Sequence, residues 1–149
     1  MSRRPPGLRA SEVIRARERA GFFVARTFEN YYLSITMPLR EGVGELAGVA
    51  ADALGEVLLT EYSPGAGIGR HRDAPMFGVV AGVSLLGACR FRFERGKGPE
   101  RVTRALTLAP RSAYLLTGET RALWSHSIPP TKERRYSVTF RTLRPQSRR

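Results

Sequence analysis

The chain is 149 residues long and 42% hydrophobic, enough for one ordinary soluble domain with a substantial core. It carries 25 Lys and Arg against 13 acidic residues, a formal net charge of +12 that suits a phosphate polyanion, although near-exclusive use of arginine is also what a GC-rich genome produces. A single cysteine, Cys89, excludes a disulfide framework and a cysteine zinc site, no apolar run approaches the ~20 residues of a membrane span, and the start MSRRPPGLRA lacks the apolar core of a secretory signal, so the reading is a cytoplasmic monomer.

In chain order, residues 1–10 read as a flexible basic tail, 11–144 as one domain and 145–149 as a second basic tail. Ser11 is placed to cap a short helix, SEVIRARERA, that Gly21 stops, and FFVARTF (22–28) has strand character. Pro38 suits a first helical position. After it, Leu39, Val43, Leu46, Ala50 and Leu54 repeat at spacings of four and three, which predicts an amphipathic helix ending at Gly55. From residue 57 the period is two. EVLLTEY, FGVVAGVSLL, CRFRFER, VTRALTLA, SAYLLTG, RALWSHSI and RYSVTFRTL read as strands separated by Gly/Pro-rich turns such as SPGAGIG. Short strands at regular spacing predict an antiparallel sandwich or barrel.

The closing RYSVTFR alternates cleanly, with Tyr136, Val138 and Phe140 on one face and Arg135, Ser137, Thr139 and Arg141 on the other. Its two arginines stand about 20 Å apart at the strand ends. Upstream, IGRHRDAPMFG sets His71 and Asp73 two residues apart, and the other histidine is His126 in LWSHSIPP. Two imidazoles and one carboxylate form the facial set of non-haem Fe(II), with three positions left open. Zinc with a bound water fits the same donors, and a packed histidine pair is the bland alternative. A metal with open positions needs a co-substrate, and an arginine fork holds a carboxylate in two-point fashion. The polar row of 135–141 is therefore expected to face a lumen, with Tyr136, Val138 and Phe140 packed outward beneath the helices. Ser84, Ser112 and Trp124 read as structural.

YSPGAGIGRHRD, TGETRALWSHSIPP and RYSVTFR together resemble the AlkB-type Fe(II)- and 2-oxoglutarate-dependent dioxygenases, over roughly residues 57–144 and with motif order and spacing kept. The resemblance implies a mainly β (α+β) fold, a double-stranded β-helix or jelly roll buttressed by N-terminal helices. It implies that His71, Asp73 and His126 bind Fe(II). Arg135 would pair with the distal carboxylate of 2-oxoglutarate, Arg141 would lie near the carboxylate on the metal, and Tyr62 would hydrogen-bond the co-substrate. With O2, oxidative decarboxylation to succinate and CO2 would be coupled to hydroxylation of a C–H bond. On an N-methyl group the product would collapse to formaldehyde and leave the demethylated substrate.

Thr60 and Ser137 are counted with Tyr62, Arg135 and Arg141 as co-substrate-binding residues; repair members of the family often have asparagine at these two positions, a departure that leaves iron and co-substrate binding in place and bears on base recognition. Only 61 residues precede Tyr62, so a nucleotide-recognition lid would be small, drawn from residues 22–40 with Phe22, Phe23, Tyr31 and Tyr32 as stacking candidates; these aromatics fit a core or strand face equally well. The leading reading is oxidative demethylation of alkylated bases in single-stranded DNA or RNA. The alternatives are the same chemistry on a protein side chain or small metabolite, and a non-catalytic nucleic-acid-binding module.

Overall fold

The computed structural model describes residues 29–145. The helix and strand read over residues 11–28 and the aromatics Phe22 and Phe23 lie outside this range. Helix α1, Glu29–Ala47, opens the described part and contains Tyr31 and Tyr32. It starts earlier than expected and runs through Pro38, so this proline is internal rather than the first helical residue. Its missing N–H removes one intrahelical bond. The helix also stops short of Gly55: Gly48, at φ 67°, takes the left-handed conformation that ends it, and the amide of Val49 turns back onto the Gly44 carbonyl at 3.0 Å.

Eight strands follow: β1 Glu56–Tyr62, β2 Ile68–His71, β3 Phe77–Leu85, β4 Cys89–Arg95, β5 Val102–Leu108, β6 Ser112–Leu116, β7 Ser125–Ile128 and β8 Arg135–Leu143. They form two four-stranded sheets, in the orders β1-β8-β3-β6 and β2-β7-β4-β5, with every pairing antiparallel. This is the double-stranded β-helix. The stretch read as one strand, RALWSHSI, is instead divided: a short helix α2, Gly118–Leu123, precedes β7.

Two apolar layers hold the sheets. Between them pack Tyr62, Val80 and Leu116 from the first sheet and Phe91, Phe93, Leu108 and Ile128 from the second, with Trp124 against their edge. On the other side of the first sheet, Ala81, Val83, Val138 and Phe140 meet Val43 of α1 and Leu54. Phe140 is wholly buried, worth about 2–3 kcal/mol of transfer free energy. Val138 and Phe140 therefore sit beneath the helix as expected. Tyr136 does not: it is 38% exposed, because this first part of β8 extends past the apolar layer under α1.

Among the described residues no helix is long and apolar enough to cross a membrane.

Candidate active site

Strand register assembles the site row by row. β1 against β8 sets Tyr62 opposite Arg135, Thr60 opposite Ser137 and Glu56 opposite Arg141. β3 against β8 sets Ser84 opposite Ser137, Gly82 opposite Thr139 and Val80 opposite Arg141. Directly paired residues share a face, so all of these side chains point the same way. Tyr62 and Val80 belong to the layer between the sheets, so that face is the inner one. Tyr62, Thr60, Ser84, Arg135, Ser137 and Thr139 are all buried.

At one end of β8 lies Arg135, fully buried. Its Nη2 donates to Ser84 Oγ at 2.9 Å, and its guanidinium lies 4.7 Å above the Tyr62 ring. Its Nε and Nη1 find no acceptor among the described residues. A buried cation without a counter-ion costs several kcal/mol, so this pocket is suited to receive an anion that supplies two acceptors. Burial pushes the Tyr62 phenol up to about 12, against the pull of the Arg135 charge, so its hydroxyl stays protonated and able to donate.

The middle of the row is lined by hydroxyls. Ser137 Oγ and Thr139 Oγ1 lie 3.5 Å apart. Tyr114 from β6 lies across Gly82, where a Cβ would collide with its ring, and packs on Phe91 at 4.8 Å between centroids. Burial raises the Tyr114 phenol as well, with Thr139 acting in the opposite sense through a hydrogen bond.

At the other end stand the titratable groups. His71 ends β2, Asp73 follows in the loop, and His126 lies on β7 directly opposite His71. Asp73 Oδ1 lies 3.6 Å from His71 Nε2 and 3.7 Å from His126 Nε2. The donor atoms of all three lie within 4.8 Å of one another, a little wider than the ~3 Å spacing that ~2.1 Å bonds at right angles require. The His71 Nδ1–H donates to the Gly69 carbonyl at 2.9 Å, which leaves the Nε2 lone pair facing the cluster. Burial, with the His71 charge nearby, pushes His126 down to about 4 and keeps it neutral. Burial disfavours the Asp73 carboxylate, but the neighbouring His71 imidazole and the charge and hydrogen bond of Arg141 hold it well below the usual carboxylate range. The Asp73 carboxylate beside it raises His71, which burial opposes. Lone pairs of two imidazoles and a carboxylate that converge in this way fit a divalent cation between them.

Two further arginines fix this end. Arg141 donates from Nε to Asp73 Oδ2 at 3.2 Å and from Nη1 to Glu56 Oε1 at 2.8 Å, and lies 5.0 Å over the Phe77 ring. Arg121 of α2, only 8% exposed, donates to the carbonyls of Ala74, Phe77 and Gly78 and so clamps the loop just past Asp73. The structure thus brings together the metal-ligand and co-substrate candidates His71, Asp73, His126, Tyr62, Thr60, Arg135, Ser137 and Arg141. It adds Ser84, which the sequence reading left as structural and which accepts a hydrogen bond from Arg135, and Tyr114, Arg121 and Glu56, to which no role was given. Ser84 was visible as the one polar residue of the apolar FGVVAGVSLL, and Arg121 lay inside the quoted TGETRALWSHSIPP. Nothing local marked Tyr114 or Glu56.

A double-stranded β-helix with two histidines, one aspartate and a buried arginine on its inner face defines a class, the mononuclear metal oxygenases that take a dicarboxylate co-substrate. The chain belongs to the 2OG-Fe(II) oxygenase superfamily, whose family model matches residues 29–144. It is similar to the uncharacterized protein L905 of Acanthamoeba polyphaga mimivirus, 31% identical over 102 residues, covering 59% of this chain and 48% of that protein. It is 37% identical over 79 residues to the mouse tRNA (carboxymethyluridine(34)-5-O)-methyltransferase ALKBH8, covering 52% of this chain and 11% of that protein. To the Arabidopsis thaliana alkylated DNA repair protein ALKBH8 homolog it is 30% identical over 126 residues, covering 65% and 36% respectively. The chain therefore spans less than half the length of each of these relatives. Among solved structures, a Pseudomonas putida prolyl-4-hydroxylase superposes with a TM-score of 0.50 at 20% identity, covering 87% of this chain and 74% of that one, a likeness of fold. By family the chain is a 2-oxoglutarate-dependent dioxygenase, an oxidoreductase class that uses Fe(II), 2-oxoglutarate and O2.

Proposed function

We propose that this chain removes N-linked alkyl groups from bases in single-stranded DNA or RNA by oxidising the carbon attached to nitrogen. The observation that carries its co-substrate chemistry is Arg135, a fully buried guanidinium with two unpartnered nitrogens on the same inner face as the His71, Asp73 and His126 cluster. In this reading those three residues hold Fe(II), which when bound supplies the oxidising chemistry with O2 and 2-oxoglutarate. Arg135 receives the distal carboxylate of 2-oxoglutarate through its free Nε and Nη1. Ser84 holds the guanidinium from the far side, and the Tyr62 hydroxyl donates to the same ligand. Thr60, Ser137, Thr139 and Tyr114 line the passage between that carboxylate and the metal. Arg141 keeps Asp73 ionised and oriented, and the apolar Phe91 and Phe93 beside His126 exclude water.

The nucleic-acid substrate is supported by the names of two relatives, one a tRNA methyltransferase and one an alkylated DNA repair protein, and by the +12 net charge. A base inside a duplex cannot reach an inter-sheet site, so a single-stranded or flipped-out base is required. The test is incubation of the Fe(II)-loaded protein with 2-oxoglutarate and ascorbate in air, on single-stranded DNA and RNA oligomers bearing 1-methyladenine or 3-methylcytosine. Mass spectrometry follows methyl loss, succinate is quantified in parallel, and His71→Ala is the control. Methyl loss with matching succinate is expected. Succinate without methyl loss on any oligomer overturns the nucleic-acid substrate while leaving the co-substrate site intact.

A further inference from the structure

The positive charge of the described residues is not spread evenly. Residues 90–111, which comprise β4, β5 and the turns that follow each, contain seven Arg and Lys against two Glu. The rest of residues 29–145 contains nine cationic and nine acidic residues. The excess of this body therefore sits on the β4–β5 hairpin, at the β5 edge of the second sheet, and on the turn after it.

Alternation sorts that charge onto two faces. Cys89, Phe91 and Phe93 are buried on the inner face, so Arg90 and Arg92, both exposed, point outward about 7 Å apart. Around them the outer face carries small side chains: Arg90 stands opposite Thr107, and Arg92 stands between Ala105 and Ser127. Arg104 stands opposite Phe93 and so belongs to the inner face, yet it is exposed. The Glu94 carboxylate is already engaged by Arg70 at 2.8 Å and by Arg101 at 3.9 Å. Arg90 contacts only the Thr107 hydroxyl, Arg104 only the Thr103 carbonyl, and neither they nor Arg92 has a carboxylate partner among the described residues. Three arginines without counter-ions thus bracket one sheet edge, two outside and one inside. The strand of Arg90 and Arg92 also carries Phe93, whose ring lies 6.4 Å from that of His126.

We propose that the β4–β5 hairpin is the docking surface for the phosphodiester backbone of a nucleic-acid strand, which crosses the β5 edge with Arg90 and Arg92 on one side and Arg104 on the other. It rests on the nucleic-acid reading of the substrate. No exposed aromatic lies on these two strands, so the contacts are to phosphates, which position a strand without reading its sequence.

The experiment is fluorescence anisotropy of a labelled, unmethylated 20-nucleotide single strand titrated with full-length protein at several NaCl concentrations. Wild type is compared with Arg90→Gln/Arg92→Gln/Arg104→Gln and with a charge-matched control, Lys132→Gln/Arg134→Gln/Arg144→Gln, all three first matched for melting temperature. Loss of three phosphate contacts lowers the slope of log affinity against log salt by about 2 and weakens binding roughly 100-fold at 0.1 M salt. The control is expected to keep most of the wild-type slope. Equal losses in both variants, or no measurable binding by wild type, overturn the hairpin as the docking surface. The methyl-loss assay on a modified 20-mer separates the two readings. Methyl loss with an unchanged slope in the hairpin variant removes the docking surface and keeps the demethylase. A lost slope without methyl loss does the reverse.

Discussion

Arg141 Nε donates to Asp73 Oδ2 at 3.2 Å, and this bond ties strand β8 to the loop that carries the carboxylate of the His71, Asp73 and His126 cluster. The second arm of the same guanidinium reaches Glu56 at 2.8 Å, so its fork is held at both ends. The arginine read from the sequence as a neighbour of the metal-bound co-substrate carboxylate is thus already committed to Asp73. Arg141→Lys retains the charge but cannot span both acids. It is expected to weaken Mn(II) binding, measured without co-substrate, by about 10- to 100-fold. The requirement for 2-oxoglutarate at saturating metal should change far less. An unaltered Mn(II) affinity would show that Asp73 needs no such support.

Arg135 is the opposite case, a buried cation left without an acid. Arg135→Met fills a similar volume without the charge. It is expected to raise the KM for 2-oxoglutarate by about 30-fold or more, through loss of a charge-assisted pair worth roughly 2 kcal/mol. The ligand-free protein should meanwhile be no less stable, and by about 1 kcal/mol more stable, because an uncompensated buried charge is gone. Urea unfolding of the apoprotein checks the second half; clear destabilisation would mean that Arg135 serves the fold rather than the ligand.

Tyr62 gives an alkaline signature. Its folded pKa, about 12, lies above the ordinary phenol value of 10.0, because burial penalises the phenolate. The unfolded chain therefore loses this proton first as pH rises. The contribution to stability is whole below pH 10 and declines between about 10 and 12, by up to roughly 2–3 kcal/mol. Tyr62→Phe is expected to flatten this part of the stability profile relative to wild type. Parallel profiles for the two proteins between pH 9 and 11.5 would contradict the burial argument.

Gly82 and Tyr114 form a matched pair. A Cβ at Gly82 would strike the Tyr114 ring, so Gly82→Ala must push that ring away from Phe91 and Thr139. The expected cost is about 1–3 kcal/mol, a fall in melting temperature of roughly 5–10 °C. In Gly82→Ala/Tyr114→Val the collision no longer exists, so the double variant should lose less than the two single losses combined. Simple additivity would place the strain elsewhere.

Much of this molecule was legible as local pattern. Strand alternation has a period of two, so EVLLTEY, CRFRFER and RYSVTFRTL declare their faces without reference to any partner, and β1, β4 and β8 follow them closely. The polar row of Arg135, Ser137, Thr139 and Arg141 lies opposite Val138 and Phe140 for the same reason. His71 and Asp73, two residues apart, already placed two donors at one strand end, and the single remaining histidine completed the set.

What the tertiary structure decided is everything that depends on distance in space between segments far apart in the chain. Short runs such as RALWSHSI do not distinguish strand from helix, and α2 exists where Arg121 can reach the carbonyls past Asp73. Helix α1 passes through Pro38 and stops at Gly48, because packing of Val43 on the first sheet and a left-handed turn at Gly48 outweigh the local preference for proline at a first position. Two arginines on one face of one strand look equivalent in sequence. Only the register, which brings Glu56 to Arg141 and Tyr62 to Arg135, and the loop that carries Asp73 make one of them a paired support and the other an open anion pocket. Side-chain identity sets what each residue is able to bind, and pairing between distant strands sets what it meets.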